Sequence, residues 1–214
     1  KRGEVPLFRA APRELLVGAV DARWRPADRV DLGITWQGGA SWTTVGRSVP
    51  EPGRVRWTSS ILLVDPDRRP ITLRFGWRAS LPLLPGVPDT ADTGEADVDL
   101  LVSLGFDEGG VWLVGTGGLG ITGNPLLDGA QDDLPLLWLV AGRRWGALDV
   151  ELRAGGAVAT SRNPGRTGLR LSVEHRGRLL VGAGVGVGTS PAAADLWLGA
   201  WTGVSRPCRR PCGD

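Results

Sequence analysis

Between positions 147 and 158 hydrophobic and polar residues alternate one by one, with Leu148, Val150 and Leu152 on one phase and Asp149, Glu151 and Arg153 on the other. Successive side chains of a β-strand point to opposite faces, so a period of two predicts a strand with one greasy and one charged face. The same pattern covers 30–37, where Val30, Leu32, Ile34 and Trp36 oppose Asp31, Thr35 and Gln37. It returns at 71–81 (Ile71, Leu73, Phe75 and Trp77 against Thr72, Arg74, Arg78 and Ser80) and at 167–175 (Leu169, Leu171 and Val173 against Arg170, Ser172 and Glu174). Weaker versions at 15–24, 55–64, 97–105, 111–121, 134–142, 179–187 and 195–203 bring the expectation to about eleven strands.

The connections alternate in length. Short segments rich in Gly, Pro and Asp fall at 26–28, 65–69, 106–109, 143–146 and 176–178, as tight turns require. Longer loops are expected at 38–53, 82–96, 122–133 and 159–166, with a shorter one at 188–193. Outer-membrane barrels have this layout, with short periplasmic turns, longer external loops, both ends periplasmic and an even number of strands. The strand at 15–24 then runs inward, and an outward strand must precede it. The segment 4–10 fills that place, with Pro6 near a strand end where proline is tolerated. The expected fold is therefore all-β, a closed antiparallel transmembrane β-barrel of about 12 strands.

Alternation alone leaves open which face is inside, and a soluble ligand-binding β-barrel with an apolar core has the same rhythm. Asp21, Arg23, Asp31, Arg56, Arg74, Arg78, Asp97, Asp99, Asp149, Glu151, Arg153, Arg170 and Glu174 all fall on one phase. In a membrane they must line the lumen, because lipid penalises an Arg near its midplane by about 2 to 4 kcal/mol. Neighbouring strands should then set Arg74 and Arg78 near Asp97 and Asp99, and Glu151 or Arg153 near Arg170 and Glu174. Trp24, Trp36, Trp57, Trp77, Trp138 and Trp145 lie on the apolar phase or near strand ends, where membrane-interface aromatics sit. The lack of Tyr runs against an ordinary aromatic girdle. Gly, Ala and Val fill much of 111–121 and 179–187, giving little bulk for a dense water-excluding core but a face that lipid tolerates.

Composition narrows the class further. With 33 Gly in 214 residues, no three-residue period, 42% hydrophobic and 22% charged residues, the chain is neither collagen-like nor disordered. A formal charge of +2, spread without runs of like charge, gives no sign of a nucleic-acid partner. No window holds 18 uninterrupted apolar residues, so a helical span is not expected. The chain starts at Lys1 and contains no Met, from which a removed leader and export are expected, and the barrel layout makes the bacterial outer membrane the expected place. One barrel domain is expected over 1–204, followed by a periplasmic tail, 205–214, that carries Cys208 and Cys212.

The stretch GGLGITGNPLLDGAQDDLPLLWLVAGRR at 117–144, followed by LDVELRAGGAVATS and TGLRLSVEHRGRLLVGAGVGVGTSPAAADLWLGAWTG, resembles barrels of the phenol-degradation meta-pathway and related transporters. The likeness spans roughly 71–204 and rests on strand rhythm plus the loop bearing Asn124-Pro125 and Asp132-Asp133. It implies an outer-membrane location and a barrel architecture more than a substrate. The tail after Trp197 and Trp201 departs from barrels that end on an aromatic residue.

Candidate chemistry is sparse. Gly115-Thr-Gly117-Gly-Leu-Gly120 matches a dinucleotide fingerprint in letters, but no helix is expected after it to hold a pyrophosphate. His175, the one histidine, falls in the outward phase at a strand end, away from any pocket that a Ser/His pair would need. Asp89, Asp92, Glu95, Asp97 and Asp99 offer hard oxygens without the spacing of a calcium loop. Cys208 and Cys212 are spaced unlike a CxxC redox motif and suit a disulfide in an oxidising compartment. No catalytic centre, cofactor or metal is expected, and the chain reads as a non-enzyme. The leading expectation is a narrow channel or transporter for small solutes, with outer-membrane lipid as its surroundings. A closed structural barrel that anchors an envelope protein partner is the alternative, and a soluble ligand-binding β-barrel a further one.

Overall fold

A computed structural model describes residues 13–43, 48–64, 70–83, 96–122, 132–159, 165–190 and 196–204. They form eleven strands: β1 (Arg13–Ala27), β2 (Val30–Thr43), β3 (Ser48–Val64), β4 (Ile71–Pro82), β5 (Asp97–Glu108), β6 (Val111–Thr122), β7 (Asp132–Trp145), β8 (Leu148–Ala157), β9 (Arg166–His175), β10 (Leu179–Gly188) and β11 (Leu196–Val204). Each pairs antiparallel with its sequence neighbours, which gives one sheet in the order β1 to β11. Among the described residues β1 and β11 are not paired with each other, so the sheet has two edges rather than the expected closure. The strand expected at 4–10 lies outside the described residues, as does the tail with Cys208 and Cys212. No helix of the described chain is long and apolar enough to cross a membrane.

Short turns gather at one end of the sheet. The β5–β6 turn holds Gly109 and Gly110 at φ 60° and 79°, the paired positive values of a two-residue hairpin whose twist suits the flanking strands. The long loop expected at 38–53 is mostly strand. β2 runs on to Thr43 and β3 begins at Ser48, and their ladder slips between Gln37 and Gly39. Gly53, at φ 85°, lies so close to the Gln37 carbonyl that any Cβ would overlap it. Glycines that read as a loop therefore form a β-bulge, which bends the hairpin without ending it.

Residues directly opposite one another trace an oblique path: Trp24, Leu32, Ser59, Trp77, Leu100, Leu119, Pro135. That row leaves β1 near its short-turn end and reaches β7 near its long-loop end. A slip of about one residue per strand, at ~3.3 Å per residue and ~4.8 Å between strands, tilts the strands by roughly 35°, the inclination found in barrels.

The two faces are inverted relative to a water-soluble sheet. The apolar phase is the exposed one, with Val102 at 50%, Leu104 at 58% and Leu137 at 60% relative exposure. Asp99 at 8% and Asp149 at 5% are buried on the other. Among the described residues the buried large hydrophobics are Leu62 and Leu136, which sit on the polar face in register with Arg74 and Gly118. Among the described side chains, charges on the apolar face are confined to Glu108, Asp133 and Arg143, each in the last or first three residues of its strand. A sheet in water ordinarily buries its apolar phase, and this one leaves it exposed.

Candidate functional site

The polar face is concave. Arg78 of β4 places its guanidinium 5.6 Å from the ring centre of Trp138 on β7, three strands away, a span of about 14 Å in a flat sheet. Arg54 of β3 meets Asp97 of β5 at 2.8 Å, and Arg74 of β4 meets Asp31 of β2. Contacts that skip strands require the sheet to curl toward this side. All the charged residues assigned to a lumen from sequence lie on it.

One cluster spans β1 to β5. Asp31 receives Arg25 at 2.7 Å as well as Arg74, and Arg78 is bound to Asp99, which stands opposite it in register. Asp97, expected near Arg74 or Arg78, is held by Arg54 instead. Arg56 lies between Thr35 and Ser80 in the ladder. Its Nε and the Ser80 hydroxyl, on a side chain only 5% exposed, are buried without a hydrogen-bond partner. On the edge strand, Asp21 accepts from Arg23 and from Thr35 Oγ1, both at 2.7 Å.

The second cluster spans β7 to β11. Asp149 holds Arg144 at 3.2 Å and also Arg176. Glu151 and Arg153 pair along their own strand at 3.1 Å, and Arg153 stands opposite Arg170. Glu151 and Arg153 thus come near Arg170, as expected, but no ion pair joins them to it among the described residues. Arg170 stacks on Trp197 and Trp201, 4.0 and 5.2 Å from their ring centres, while Trp201 Nε1 donates to Glu174 at 2.8 Å. A guanidinium over two indoles keeps cation–π attraction where an ion pair was expected. The indoles fit because glycines lie beneath them: a Cβ at Gly142 would enter the ring of Trp112, and one at Gly182 the ring of Trp201.

Trp138 was expected among the interface aromatics, but it shares the polar face with Thr116, Ser103 and Arg74. Its position in an almost wholly apolar strand, where both phases are greasy, hid its direction. Trp112, Trp197 and Trp201 face the same way for the same reason. Trp24, Trp36, Trp57, Trp77 and Trp145 lie on the apolar face. Trp24 and Trp57 meet edge to face at 5.7 Å, and Arg143 folds over Trp145 at 5.3 Å.

Between the clusters the concave face is lined by Leu101, Leu136 and glycines of β6, with Ser103 and Thr116 hydroxyls hydrogen-bonded at 2.8 Å. The glycine-rich fingerprint at 115–120 is the middle of β6. His175 is exposed at the end of β9, in the phase of Leu148 and Val181. Asp89, Asp92 and Glu95 lie outside the described residues, and among those described no group of three or more His, Cys, Asp or Glu is placed to hold a metal. No family model matches the chain, and no curated protein matches it.

Proposed function

We propose that the chain is an outer-membrane β-barrel whose apolar phase meets lipid and whose charged concave face encloses a narrow passage for small solutes. The observation that carries this reading is the inversion of the faces, with Leu and Val exposed, Asp99 and Asp149 buried, and charges on the apolar side kept to strand ends. Water would leave that apolar surface bare, whereas a hydrocarbon slab about 25 Å thick covers it. Arg143 over Trp145 suits the boundary, where a long cation folds its charge toward the headgroups beside an indole.

Closure is part of the same reading: the tilt and the concave inner side suit a closed barrel, and lipid leaves no alternative for unpaired edge groups. Eleven or twelve strands at this tilt give a backbone radius of about 11 Å, and inward Arg and Trp side chains fill more than half of it. The bore is therefore a few ångströms wide and lined by ion pairs.

The bridge from Arg78 to Trp138 and the buried Leu136 favour a second reading, in which the interior is blocked and the barrel serves as an anchor for an envelope protein. Conductance decides between them. After refolding with heat-modifiable gel migration, insertion into a planar bilayer should give small discrete steps. Folded barrels that insert but never conduct support the closed alternative, and folding to a monodisperse state in plain buffer contradicts both.

A further inference from the structure

We infer that the concave face carries an oxyanion-binding site at Arg56 and Ser80, so that the solutes taken by the proposed passage are small anions bearing a carboxylate or phosphate group. This rests on the proposed passage for its role, but the site itself is built from side-chain positions alone.

Arg54, Arg56 and Arg78 reach the same stretch of the concave face, and two acids answer them. Asp97 is engaged by Arg54 and Asp99 by Arg78. Both acids act on Arg56 electrostatically, but so do the two flanking arginines. Arg56 Nε is buried without an acceptor. Directly opposite it in the ladder stands Ser80, whose hydroxyl is also buried and unpartnered on a side chain only 5% exposed.

A buried donor that has lost water without gaining an acceptor destabilises the fold, and more so when it is charged. Two such groups side by side are better explained by an absent acceptor than by two separate defects. A partner for both must accept from a guanidinium and a hydroxyl together, and three arginines against two acids favour one that carries negative charge. An oxyanion does both, because two of its oxygens can take the guanidinium edge while one takes the hydroxyl proton. Of the neighbouring oxygens, the Thr35 hydroxyl is turned to Asp21, and Asp97, which stands opposite Ser80 in the ladder, is engaged by Arg54.

Calorimetric titration of the folded full chain with inorganic phosphate and with succinate, in a low-chloride buffer, tests the inference. Saturable binding of at least one of them is expected, about tenfold weaker in Arg56→Gln and several-fold weaker in Ser80→Ala, with Arg143→Gln, on the apolar face beside the β7–β8 turn, unchanged. If Arg56→Gln does not fold, Ser80→Ala alone carries the test. No saturable heat with either anion, or the same affinity in the variants as in the wild type, overturns the site; binding to one anion only identifies which headgroup it prefers. A chain that is heat-modifiable in detergent but binds neither anion refutes this inference alone. Phosphate binding by a chain that stays monodisperse without detergent keeps the site and refutes the membrane reading.

Discussion

An Arg introduced along the outward phase of one strand measures what covers the apolar face. On β9 that phase holds Leu169, Leu171, Val173 and His175, and the first three are 41%, 45% and 39% exposed. Leu171 lies five residues before the turn at Arg176, about 13 Å along the barrel axis at ~3.3 Å per residue and a tilt of roughly 35°. That is the middle of an apolar band about 25 Å tall. Leu171→Arg should therefore destabilise the folded state by about 2 to 4 kcal/mol, and His175→Arg at the rim by about 0 to 1 kcal/mol. The assay is reversible unfolding in lipid vesicles with denaturant, followed by tryptophan emission. If water covered this face, an exposed Leu→Arg change would stay within about 0.5 kcal/mol at every depth. A flat profile over positions 169, 171, 173 and 175 refutes the lipid assignment.

Three further outcomes follow from the concave face. Asp149→Asn, which leaves the half-exposed Arg144 and Arg176 without their shared carboxylate, should lower unfolding stability by roughly 1 to 2 kcal/mol, measured in the same vesicles. Gly182→Val should displace the Trp201 indole and break its bond to Glu174, seen as a changed near-ultraviolet dichroism and a loss of about 1 to 3 kcal/mol. Trp138→Ala removes the ring under Arg78 and widens the bore, so single-channel conductance should rise about twofold or more; an unchanged conductance would place the constriction elsewhere.

Strand positions were legible because alternation of period two survives wherever one phase is charged, as at 148–153 and 169–174. The common phase of Asp31, Arg74, Asp99, Asp149 and Arg170 was legible for the same reason, and the ladders place them on one face. The partners were not. Pairing depends on register and curvature, so Asp97 finds Arg54 two strands away rather than an arginine of β4, and Arg170, though near Glu151, stacks on indoles. Trp112, Trp138, Trp197 and Trp201 gave no directional signal, because their strands are apolar on both phases. A paired glycine was the one available clue: Gly142, Gly182 and Gly199 mark where a neighbouring indole needs room. The bulge at Gly53 was read as loop, since glycine in a sequence does not say whether the ladder continues past it.

The central claim is that the exposed apolar phase faces lipid, and β5 gives it the most direct test. With Cys208 and Cys212 replaced by Ser, a spin label is moved one residue at a time from position 98 to position 106 in refolded barrels in vesicles. Collision with oxygen, which concentrates in lipid, is compared with collision with a water-soluble nickel chelate. Oxygen maxima should fall at Val98, Leu100, Val102, Leu104 and Phe106, whose side chains are 39%, 42%, 50%, 58% and 40% exposed, with minima at the positions between. Nickel maxima at those five residues would contradict the account and place them in water.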